Sequence, residues 1–130
     1  MSNKINIIPC SGMGKVFGLL AREGVLQAVK NHPEDANTVC LAYVVTGDEE
    51  AKKLIDGKKC ITVDGCPAMC AAQNAELAGG LLQEKIRVVD AIRRHKGEYA
   101  GTATELTDKG WQIVDEIAED ITRKLKNINQ

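Results

Sequence analysis

The sequence predicts an α/β fold: a three-layer sandwich with a small, mostly parallel sheet of three or four strands and helices on both faces. Short β-branched runs alternate with segments of helical periodicity, the pattern of a sheet with helical crossovers. Aromatic residues are only 3% of the chain, so the core must be built from Val, Ile, Leu and Ala. Such a core suits parallel strands buried on both sides. The 130 residues, 44% hydrophobic and 27% charged, are ordinary globular usage and are read as one domain over residues 1–130.

Ile5-Asn6-Ile7-Ile8 is the first strand, closed by Pro9-Cys10. Ser11-Gly12-Met13-Gly14 follows as a glycine-bearing turn. Phe17, Leu20, Ala21, Gly24, Val25, Ala28 and Val29 then recur at helical spacing. Asn31-His32-Pro33 ends this helix, and Pro33 followed by Glu34 and Asp35 is suited to open another. Residues 38–45 are ambiguous: their β-branched content favours a strand, yet Ala36, Cys40, Tyr43 and Gly47 share a helical face.

Residues 48–55 read as a short helix stopped by Gly57, and residues 60–64 as the second clear strand. Gly65-Cys66-Pro67 turns the chain, with Pro67 able to start a helix that carries Cys70, Asn74, Leu77 and Ala78 and ends at Gly79-Gly80. Residues 86–89 suggest a third strand, and residues 95–104 a loop. The last helix presents Trp111, Val114, Ile117, Ala118, Ile121 and Leu125 as an apolar stripe, with Arg123, Lys124 and Lys126 near its carboxyl end.

Composition narrows the function classes. A formal net charge of -1 gives no electrostatic ground for nucleic acid as a partner. No apolar run approaches eighteen residues, so no membrane partner is expected. The amino terminus lacks the length and cleavage site of a signal peptide, and the chain reads as cytoplasmic. In a reducing compartment Cys10, Cys40, Cys60, Cys66 and Cys70 are ligands, reactive thiols or core residues in preference to disulfides.

Ligands of open α/β sheets bind beyond the carboxyl ends of the strands. Cys10 closes the first strand, Cys66 lies just past the second, and Cys70 is four residues on. If the helix begins near Pro67, Cys66 and Cys70 share a side, and adjacent strands are about 5 Å apart. Cys60 instead begins its strand, roughly 13 Å from that edge at about 3.3 Å per residue, and reads as a buried small hydrophobe. Cys40 is the discriminating residue. In a parallel strand over residues 38–45 it would sit at the wrong end, so a four-cysteine site predicts that this segment is not such a strand. Spacing alone leaves a shared metal site and unrelated buried cysteines both open.

The turn Cys10-Ser11-Gly12-Met13-Gly14-Lys15 is also a candidate cradle for a small anion at residues 11–14, since it precedes a helix amino terminus. It is not a Walker loop: the glycine spacing and Val16 after Lys15 are both wrong. A Cys10 thiolate there would be stabilised by the helix end and Lys15, although the arginine of phosphatase-like loops is missing. His32 and His95 read as solvated, Met13 and Met69 as packing residues, and Asp64 as either an acceptor behind the ligands or a turn former.

At Cys10-Ser11-Gly12, Cys40-Leu41-Ala42 and Asp64-Gly65-Cys66-Pro67, followed by Cys70, the sequence resembles the DGC-domain family of small proteins to which zinc binding is ascribed. The family is named for the Asp-Gly-Cys triplet, here residues 64–66. The resemblance covers residues 5–79. It implies a zinc ion held by Cys10, Cys40, Cys66 and Cys70, and leaves Cys60 outside the landmarks.

Two functional classes follow. One is a zinc-binding module with those four cysteines as metal ligands. The other is a thiol enzyme for disulfide exchange or sulfur transfer, with Cys10 as nucleophile and Cys66, Cys70 or Cys40 as resolving partner. Four thiolates also suit an iron–sulfur cluster, but the spacing matches neither common ferredoxin pattern.

Overall fold

The computed structural model describes residues 4–10, 16–39, 41–65, 69–102 and 104–128, and the side chains of all of these except Ala42 and Tyr43. Cys40, Cys66, Pro67 and the turn at residues 11–15 therefore lie outside the described residues.

Strand β1 spans Ile5–Cys10 and is followed by helix α1, Val16–Asn31. Strand β1 runs through Pro9 instead of stopping before it. Its neighbour on one side, β2 (Ala36–Thr38), ends opposite Ile7, so from Ile8 onward β1 is paired only with β3 and tolerates a residue lacking an N–H. Pro33 does not open a helix: residues 33–35 form turns that lead into β2.

Residues 38–45 are mostly helix α2, Leu41–Val45. Helix α3, Glu49–Ile55, is capped by Asp48, whose carboxylate accepts from the Ala51 N–H at 3.0 Å, and Gly57 takes a φ of +70° just beyond it. Strand β3 spans Lys59–Asp64 and helix α4 spans Cys70–Leu77. Helix α4 thus begins at Cys70, not near Pro67, after Met69 in a left-handed conformation (φ 55°).

The last strand is longer and earlier than the sequence suggested. Strand β4 is Leu81–Arg87, and Val88 already starts helix α5, Val88–Arg93. Helix α6 covers Asp108–Ile128, and the Thr107 hydroxyl accepts from the Gly110 N–H at 3.2 Å in its first turn.

The four described strands pair in parallel, in the order β2-β1-β3-β4. From β1 the chain moves outward to β2, then returns to place β3 on the other side of β1. Right-handed crossovers then require helices on opposite faces for the two halves. One apolar cluster joins Ile5, Ile7, Ile61 and Val63 to α1, α5 and α6. The other joins Ile8, Cys10 and Cys60 to α2, α3 and α4. Gly24 lets α1 and α6 close together: a Cβ there would lie 2.5 Å from Cγ2 of Ile117. Ile113 joins the buried stripe of α6, while Trp111 is 47% exposed and outside it.

Candidate metal centre at the strand switch point

The reversal of strand order falls between β1 and β3, and the crevice at their carboxyl ends is where doubly wound sheets bind ligands. Cys10 and Asp64 end these two strands and are register partners. Side chains alternate along a strand, and Cys10 clusters with Ile8 toward α4. Asp64 points the same way, because its carboxylate reaches the start of α4: Oδ1 accepts the Ala71 N–H at 2.8 Å and Oδ2 the Ala72 N–H at 3.3 Å. Both Cys10 and Asp64 are buried.

Asp64 therefore staples the loop that it opens. It lies seven and eight residues before the amides it binds, and that span contains Cys66 and Cys70. Burial pushes the Asp64 carboxyl above its ordinary pKa, while the two amide bonds and the Lys85 charge act the other way. The first turn of α4 carries unsatisfied donors and a positive dipole end. Asp64 occupies that end, so the field that would activate a Cys70 thiolate is largely offset.

Gly65 has a different reason. A Cβ there would lie 2.7 Å from the Phe17 carbonyl oxygen and 3.0 Å from the Gly18 nitrogen. The chain leaving β3 thus presses on the backbone of the first turn of α1. In the Asp-Gly-Cys triplet the aspartate holds α4, the glycine permits contact with α1, and the cysteine follows directly.

Of the cysteines in the expected ligand set, Cys10 ends β1 and Cys70 opens α4, and both belong to the cluster on that face of the sheet. Cys40 and Cys66 are outside the described residues. Their neighbours Val39 and Leu41 belong to the same cluster, and Gly65 follows β3. Strand β2 ends at Thr38 and α2 begins at Leu41, so residues 38–45 are not an ordinary parallel strand. The argument that Cys66 and Cys70 sit one helical turn apart does not apply, because α4 starts at Cys70. Among the described residues, no three His, Cys, Asp or Glu side chains converge at one point.

Cys60 is the second residue of β3, at the opposite end of the strand from Asp64. It is fully buried, its thiol donates to the Lys58 carbonyl at 3.4 Å, and burial pushes its pKa up to about 11. His32 and His95 are not simply solvated. Nε2 of His32 lies 3.1 Å from the Thr122 hydroxyl, and His95 has one ring nitrogen on Glu98 and the other on Glu116. Sequence reasoning missed Glu116 because it lies 21 residues from His95, on helix α6. Among the described residues, no helix is long and apolar enough to cross a membrane.

No curated protein and no solved structure matches the chain. A sequence model of the DGC domain matches residues 6–126, which extends the likeness beyond residue 79 through α5 and most of α6. The chain belongs to the DGC-domain family.

Proposed function

We propose that this protein binds a zinc ion through the thiolates of Cys10, Cys40, Cys66 and Cys70. The observation that carries the reading is the topology. The switch point lies between Cys10 and Asp64, and the stretch from Asp64 to the α4 amides it binds contains Cys66 and Cys70. The donor set fits the metal: four thiolates suit tetrahedral zinc and exclude the hard cations that need oxygen ligands. Four protein ligands leave no open position for hydrolytic water, so the ion would be held or passed on instead of serving as a hydrolytic centre.

The two apolar clusters give the sheet its own core on each face, so the fold does not depend on a metal staple. Metal handling or sensing suits such a site better than structural support. The seat of Asp64 at the α4 amino end also favours ligation over nucleophilic catalysis at Cys70.

The test is elemental analysis of protein purified anaerobically without an affinity tag, with a count of accessible thiols. About one zinc per chain is expected, with four thiols protected. Cys66→Ser should lose most of that zinc and Cys60→Ala should keep it. An unchanged zinc content in Cys66→Ser would refute the reading. A metal-free protein with a fast-alkylating Cys10 would point to thiol chemistry instead.

A further inference from the structure

We propose that Asp64 is the positioning residue of the metal site, setting zinc affinity through Cys70 without ligating the metal itself; this rests on the zinc reading above. Each carboxylate oxygen is committed to a different amide of the first turn of α4, Oδ1 to Ala71 and Oδ2 to Ala72. These amides belong to the two residues directly after Cys70, the first residue of the helix. Asp64 is anchored in the sheet interior, paired on both sides, with Cys10 of β1 and with Arg87 of β4. The carboxylate thus transmits the fixed position of the sheet to the Cα of Cys70.

The seat also explains why the residue is an aspartate. A bidentate carboxylate accepts from two N–H donors at once, whereas a carboxamide has one oxygen and would turn its NH2 toward the second donor. The next residue, Gly65, lets the chain lie against the Phe17 carbonyl, so the loop is fixed at both its beginning and its end. Four thiolates already exceed the charge of one zinc ion. A fifth anion next to them is tolerable when two amides and the positive end of a helix absorb its charge. The charge and its neutralising partners travel together.

Groups that orient a metal ligand typically change affinity by about 10–100-fold when removed. The experiment is zinc affinity by chelator competition in wild type, Asp64→Asn, Cys70→Ser and the Asp64→Asn/Cys70→Ser double variant. Cobalt(II) spectra of each protein report the number and symmetry of bound thiolates. Asp64→Asn should weaken zinc about 10–100-fold in the wild-type background, alter the cobalt ligand-field bands, and cost little further affinity once Cys70 is serine.

An equal loss in both backgrounds, or none in either, would overturn the proposal. A lowered Tm with unchanged affinity and cobalt spectrum would reduce Asp64 to a helix cap and also overturn it. Should Asp64→Asn not fold, Asp64→Ser replaces the bidentate carboxylate with a hydroxyl that accepts from one amide only. It should show the same dependence on Cys70. Absence of zinc and cobalt binding by the wild type is a separate outcome: it refutes the zinc reading itself, and the Asp64 proposal with it.

Discussion

Gly65→Ala tests whether the glycine of the triplet exists for close approach. Gly65 is not among the glycines with positive φ, so alanine meets no backbone strain there. By chain entropy alone the change would stabilise by about 0.4–1 kcal/mol. The contact acts against it: the added Cβ would lie 2.7 Å from the oxygen and 2.8 Å from the carbon of the Phe17 carbonyl. These are backbone atoms of a helix, which cannot swing aside as a side chain does. Overpacking of this kind costs about 1–3 kcal/mol, so the clash outweighs the entropy gain. The net loss should be about 1–2 kcal/mol.

A chain of 130 residues unfolds with an entropy near 0.27 kcal/mol/K, so each 1 kcal/mol moves Tm by about 4 °C. Thermal unfolding of the metal-free protein, followed by circular dichroism, should therefore show Tm lower by about 4–8 °C in Gly65→Ala. An unchanged or raised Tm would refute the reasoning, because it would mean that β3 and α1 are not in contact at this loop.

Two further expectations follow from buried and paired groups. Cys60 should resist alkylation in the folded protein at neutral pH and react on unfolding, because burial keeps its thiol protonated up to about pH 11. Its folded pKa is raised above the usual value of 9.0, so its contribution to stability is complete below that pH and is lost as pH rises through the folded value. An alkaline unfolding series comparing wild type with Cys60→Ala checks the sign. For His95, the hydrogen bond it donates to Glu116, and then that to Glu98, hold the ring's pKa above its ordinary value of 6.5. Its stabilisation is full below that pH and declines as pH rises through the raised value. Proton NMR should find the His95 pKa above 6.5 in wild type and lower in Glu116→Gln; equal values would mean the pair does not form in solution.

The sequence by itself determined the layered α/β class, the β1 and β3 strands, helices α1 and α6, and the position of Cys60 away from the binding edge. These depend on periodicity and on counting residues along a strand, which are local properties of the chain. It read β4 poorly because Gln83, Glu84, Lys85 and Arg87 break the apolar pattern. The strand lies at the sheet edge, where charged residues are tolerated and discourage pairing with other chains. Residues 38–45 stayed ambiguous because a three-residue strand and a five-residue helix are both too short to express a period.

Only the tertiary structure decided which helices cover which face, and that β3 returns beside β1 to bring Asp64 next to Cys10. It alone gave the aspartate and glycine of the triplet their separate reasons, one the amides of α4 and the other the carbonyl of Phe17. Strand order, helix capping from seven residues away and contact between loops are relations between distant segments. A periodic pattern reports which side of an element is buried, but not what buries it.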